Sequence, residues 1–176
     1  MNLKNNSGNS ILEGNRELVE RIFRDAPFVG QLGIRLGSFG LGWRETSVDI
    51  SRELQQQHGF MHAGVLMTIA DHTCGGAAAS TVLENKDVIT VENHVSFLRP
   101  ASGTVLSCRA QVLRAGRNLI FVEADLSVDR EGKLLLVAKA TSTLAVIPRD
   151  RKRNTLQEQW NPNAMHCEDL VLKNLS

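Results

Sequence analysis

Residues 62–82, HAGVLMTIADHTCGGAAASTV, read as a single helix of about 20 residues that is apolar on most of its faces. Such a helix has to be covered on most sides by other parts of the fold. Residues 75–79 are only Gly and Ala, which lets neighbouring backbone come close. One acid interrupts the pattern. Asp71 lies two turns inside, after Val65, Leu66, Met67, Ile69 and Ala70. A carboxylate there is costly to bury unless it is paired, hydrogen-bonded or protonated. The structural reading makes Asp71 an acid bonded to a nearby amide; the chemical reading makes it a reacting group.

The remaining segments supply the cover. Residues 1–14, rich in Asn, Ser and Gly, read as a loose arm. Leu18, Val19, Ile22 and Phe23 recur at helical spacing within residues 15–24, giving a short helix that ends before Pro27. Leu32–Leu41 and Trp43–Ile50 form a hairpin, signalled by glycines at 37, 40 and 42 and by the alternation Thr46, Val48, Ile50. Four strand-like segments follow the long helix: Asp87–Leu98, Gly103–Leu113, Asn118–Val128 and Lys133–Ile147. Turns at 100–103, 114–117 and 129–132 separate them, so short connections predict an antiparallel meander. The expected class is α+β: a curved antiparallel sheet of about six strands wrapped around one central helix. One domain is expected over residues 15–148. Residues 149–176 form a tail that opens on the basic cluster Arg149, Arg151, Lys152, Arg153, with apolar residues beyond it for a short helix.

Charge narrows the partners. The 176 residues carry 20 Lys and Arg against 19 Asp and Glu, which implies no general attraction to nucleic acid or anionic membrane. Residues 1–10 have no apolar core, so no secretory signal is read there, and no apolar run reaches the roughly 20 residues of a bilayer span. Cys74, Cys108 and Cys167 lack metal-type spacing and read as reduced thiols of a cytoplasmic protein. His58, His62 and His72 make a poor metal set, because His62 and His72 fall on different helix faces and no Cys or acid cluster supports them.

Upstream of the helix stand Gln56, Gln57, His58, Gly59, His62 and Gly64. Unpaired N–H groups at a helix start suit a developing negative charge. An acid together with such an anion site points to hydrolysis of an acyl compound.

The order Gln56, Gly59, His62-Ala63-Gly64, Asp71 resembles the hotdog-fold acyl-CoA thioesterases, in particular the phenylacetate-pathway and 4-hydroxybenzoyl-CoA thioesterases. The block from Thr90 to Ala101 and the turn Arg114-Ala115-Gly116-Arg117 are also similar to that family, so the resemblance covers about residues 30–147. It departs at Ala63, which replaces the first Gly after the His but keeps the backbone N–H.

The resemblance implies hydrolysis of an acyl-CoA to free acid and coenzyme A. The thioester carbonyl would point at the Ala63 N–H, in a helix start completed by His62 and Gly64, with His62 setting the geometry and lining the pocket. Asp71 would act as general base or as nucleophile. Gln56 would position the water or the carbonyl, and Thr90 would steer the water. Arg99, Arg114 and Arg117 would hold coenzyme A phosphates. No metal or cofactor is implied, since thiolate leaves readily and coenzyme A is part of the substrate. Sites of this family form across a dimer, so Asp71 of one chain would work with Gln56 and Ala63 of the other. A homodimer or a dimer of dimers is expected. Phe60, Met61, Met67 and Phe97 suggest a medium-chain or aryl acyl group, although the chain has no Tyr to meet a ring hydroxyl. The alternatives are hydrolysis of acyl-carrier-protein thioesters and non-catalytic acyl-CoA binding.

Overall fold

A computed structural model describes residues 19–83 and 85–149. Helical residues 19–24 (α1) and Pro27–Gln31 (α2) lead into the hairpin β1 (Arg35–Gly40) and β2 (Trp43–Asp49). A 3-10 turn at Arg52–Leu54 precedes the central helix α3 (Ala63–Ala79). Then come β3 (Lys86–Phe97), β4 (Val105–Ala115), β5 (Leu119–Arg130) and β6 (Lys133–Pro148). The arm at 1–14 and all of the tail but Arg149 lie outside the described residues.

The six strands form one antiparallel sheet in the order β1-β2-β4-β5-β6-β3, and α3 packs on its concave face. Period-two alternation explains the strands. In β5, Ile120, Val122, Ala124, Leu126 and Val128 are buried while their neighbours are not. Those residues meet Val65, Leu66, Ile69, Ala70 and the small residues of α3, which is buried along most of its length. The helix ends three residues earlier than expected. The Ser80 and Thr81 hydroxyls donate back to the Ala77 and Ala78 carbonyls, each at 2.7 Å, and the Ser80 hydroxyl also accepts the Gly42 N–H at 2.8 Å. This ties the helix end to the β1–β2 turn, where Gly42 has φ +76°.

One connection differs from the expected meander. Of the four strands after α3, only β4, β5 and β6 follow one another as neighbours; β3 pairs with β6, from Lys86↔Pro148 to Phe97↔Ala138. Residues 98–104 therefore form a crossover instead of a hairpin turn. The Leu98 and Arg99 N–H groups both donate to the Val137 carbonyl, and Ala101 is buried, its carbonyl accepting the Met61 N–H at 3.0 Å. Alternation sets each strand's buried face but not its neighbour, and a Pro-Ala-Ser-Gly linker serves either route.

Adjacent glycines on α3 have opposite tasks. A Cβ at Gly75 would meet nothing within 4 Å, whereas one at Gly76 would lie 1.8 Å from Nη1 of the fully buried Arg44. Gly75→Ala should therefore stabilise the protein by up to about 1 kcal/mol through helix propensity. Gly76→Ala should destabilise it by about 1–3 kcal/mol through overpacking. In an Arg44→Ala background the sign at position 76 should reverse. Urea unfolding of wild type, the three single variants and the Arg44→Ala/Gly76→Ala double variant checks this, and equal effects at 75 and 76 would refute it.

Candidate active site

The start of α3 is built by its N-cap. His62 is extended (φ −65°, ψ 136°), and its Nδ1 accepts the Gly64 N–H at 2.9 Å. With Nδ1 accepting, the neutral ring carries its proton on Nε2. The His62 N–H donates to the Leu54 carbonyl at 2.8 Å, and the Val65 N–H returns to the His62 carbonyl at 2.9 Å. The Ala63 N–H has no hydrogen-bond partner among the described residues, and Ala63 is exposed. It is the open donor of the helix start.

Gln56 sits in the loop just before. Its N–H donates to the Phe60 carbonyl at 2.8 Å, and its own carbonyl accepts the Gly59 N–H at 2.9 Å, a turn that Gly59 permits with φ +80°. The Gln56 side-chain oxygen accepts the His58 N–H, which leaves the amide NH2 as the half to donate.

Asp71 meets β3. Its Oδ1 accepts the Thr90 hydroxyl at 2.8 Å, and both residues are half-buried. A β-bulge makes this possible. The β3–β6 register shifts between Thr90 and Glu92, so Thr90 and Asn93, three residues apart, both reach α3. The Asn93 Nδ2 donates to the Met67 carbonyl at 3.5 Å, and its Oδ1 accepts the Ser142 hydroxyl at 2.9 Å. Asn93 belongs to the block that carried the resemblance, but nothing in a regular strand would aim it the same way as Thr90.

These groups do not all converge within one chain. Eight residues separate Ala63 from Asp71, about 12 Å along the helix axis. Asp71 and Thr90 line a cleft of about 900 Å³; His62, Ala63, Gly64 and Gln56 do not. Met61 is buried in the core, and none of Phe60, Met61, Met67 or Phe97 lines the cleft. Its apolar walls come instead from Ile22 and Pro27, from Val88 and Ile89 on β3, and from Leu144 and Ile147 on β6. Arg114 and Arg117 flank the β4–β5 turn, which lies against Ala145 and Val146. Arg99 donates to the Leu136 carbonyl at 2.9 Å, near the other end of β6 and roughly 27 Å away along the strand.

Sequence reasoning missed the layer beneath the cleft. The Phe23 and His72 rings lie 5.5 Å apart, and the Arg44 guanidinium sits 5.1 Å from the Phe23 centroid. Arg44 is completely buried, and none of its three side-chain nitrogens has a hydrogen-bond partner among the described residues. Burial lowers its pKa to about 10, which leaves it charged at neutral pH. Burial, and secondarily the Arg44 charge, pushes His72 down to about 4, so that imidazole is neutral. Burial pushes the Cys74 thiol up to about 11 and raises Cys108 further, so neither supplies a thiolate at neutral pH.

The His72 shift has a stability consequence. Its folded pKa lies below the unfolded value of about 6.5, so the unfolded chain takes up the proton first as pH falls. Stability should drop between about pH 6.5 and 4, by about 3 kcal/mol from this group. Urea midpoints at pH 7 and 4.5 should show a smaller acid loss in His72→Asn than in wild type; an identical loss would refute the assignment.

Residues 58–134 match the family described as the Thioesterase superfamily. A thioesterase family protein from Silicibacter pomeroyi is 36% identical, with a TM-score of 0.75 over 77% of this chain and 99% of that chain. The E. coli PaaI protein from the phenylacetic acid degradation operon shares the fold at 20% identity, with a TM-score of 0.69 over 78% of this chain and 96% of its own. The 1,4-dihydroxy-2-naphthoyl-CoA hydrolase of Listeria monocytogenes is 22% identical over 110 residues, 62% of this chain and 89% of that protein.

Proposed function

The chain is a hotdog-fold member of the thioesterase superfamily, and we propose that it is an acyl-CoA thioesterase acting on medium-chain or aryl acyl groups. The observation that carries this reading is the Asp71–Thr90 pair at 2.8 Å in a cleft with apolar walls from β3, β6 and the N-terminal helices. Asp71 takes a proton from water or attacks the carbonyl itself, and the Thr90 hydroxyl fixes which oxygen is free. The developing oxyanion is met by an Ala63 N–H at the positive end of α3. The Listeria relative, named for hydrolysis of an aryl-CoA, supports the acyl class.

The separation of Ala63 from Asp71 along α3 favours a site shared between two copies. β3 is an edge strand of 12 residues with Ile89, Val91 and Phe97 exposed, a form that invites antiparallel pairing with a second β3. Asn93 is the natural centre, because Glu92 would then face His94 of the partner subunit. α3 runs antiparallel to β3, with Met67 at Asn93 and Asp71 at Thr90. A two-fold axis at Asn93 would thus bring the partner's helix start level with Asp71. Gln56 of that partner would present its amide to the water or the carbonyl. Arg99, Arg114 and Arg117 are the candidates for coenzyme A phosphates. No helix among the described residues is long and apolar enough to cross a membrane, and we assign the homo-oligomer to the cytoplasm.

Thiol release from acetyl, hexanoyl, decanoyl, palmitoyl and phenylacetyl-CoA, read with a thiol-reactive dye, tests the function. Turnover with a clear acyl preference is expected. No release from any ester, with coenzyme A still raising the melting temperature, would instead fit an acyl-CoA binding protein.

A further inference from the structure

The geometry points to the open space over Gly75 as the acyl subsite, a slot for an apolar chain or aryl ring that runs from Asp71 towards the N-terminal helix α1. The assignment rests on the thioester-hydrolase reading and adds the residues that set acyl length. Asp71 and Gly75 are one turn apart on one face of α3, about 6 Å along the axis, and both line the same cleft. A Cβ at Gly75 would meet nothing within 4 Å, so the missing side chain leaves its volume to the cleft. Ile22 and Pro27, from the two short N-terminal helices, and Val88 and Leu144 give the slot its apolar lining, while Arg21, Asp25 and Asp87 add charged groups to the same cleft.

A thioester held at Asp71 has two arms. The coenzyme arm is long, polar and anionic and has to reach solvent. The acyl arm is the one suited to apolar walls. The His72 ring beside Asp71 packs on Phe23 and adds no charge to the floor, since burial, and secondarily the Arg44 charge, keeps it neutral. A cleft of about 900 Å³ has room for far more than an acetyl group, which suits longer or ring-bearing acyl groups.

The test is the ratio of kcat/KM for decanoyl-CoA to that for acetyl-CoA, a quantity unaffected by the fraction of protein that is folded. Wild type should favour decanoyl. Gly75→Leu fills the slot from the floor and Ile22→Phe from the opposite wall. Each should lower the ratio by about tenfold or more, the scale at which a pocket discriminates one or a few methylenes. A ratio unchanged within about threefold in both variants would overturn the subsite. If wild type cleaves neither ester, the hydrolase reading fails and the subsite is read from binding. The Kd values of non-hydrolysable decanoyl- and acetyl-CoA thioethers should then show the same loss of chain preference in both variants, and an unchanged preference would overturn it.

Discussion

Asp71→Asn should lower kcat/KM for thioester hydrolysis by about 100-fold or more while leaving the protein folded. Asparagine has nearly the same shape and keeps a carbonyl oxygen that can accept the Thr90 hydroxyl, now at 2.8 Å from Asp71. It loses the charge, and with it the ability to take a proton or to attack a carbonyl. Structure and chemistry are therefore separable at this position. The carboxylate is only half-buried and faces the cleft, so removing its charge should not cost the several kcal/mol that breaking a buried ion pair would. Thr90→Val is the companion. It removes the donor that orients Asp71 but leaves the acid, so its activity should fall less than that of Asp71→Asn. Thiol release from decanoyl- and phenylacetyl-CoA, with melting temperatures for all three proteins, checks both. Equal activity in wild type and Asp71→Asn would make the carboxylate structural.

Asp71 was visible in the sequence because it breaks a pattern: a charged residue in a helix that has to be surrounded. The wrapped sheet was visible for the same reason, since six alternating segments and one apolar helix admit few arrangements. Pairing of β3 with β6 was not, because each strand's alternation is satisfied whichever neighbour it takes. The bulge at Val91 was hidden as well: one extra residue leaves composition unchanged but turns both Thr90 and Asn93 towards α3. The cleft that Asp71 faces is walled by Ile22 and Leu144, from segments distant in sequence, rather than by Met67 and Phe97, the apolar residues near the motif. Arg44 gave no signal. It shares the inward parity of Thr46 and Val48 on β2, but its charge argues against burial, and only the missing side chain of Gly76 makes room for it inside.

Ala63→Pro should reduce turnover on the order of 100-fold by deleting one backbone hydrogen, the oxyanion donor. Proline is well tolerated at the first residue of a helix, where its N–H is not needed for the ladder. Ala63 holds that place, its N–H has no partner to lose, and His62 before it already has the extended backbone that a following proline requires. The variant should fold with a normal melting temperature. Its greater use lies in combination with Asp71→Asn. In a heterodimer purified through two different tags, one chain carries Asp71→Asn and the other Ala63→Pro. If each site draws Asp71 from one chain and Ala63 from the other, one of the two sites is wholly intact and the other carries both lesions. The heterodimer should then recover about half the wild-type rate per dimer, from two parents that are each nearly inactive. If both groups act within one chain, every site keeps one lesion and the heterodimer stays as inactive as its parents. The roughly 12 Å between the two residues along α3 argues for recovery.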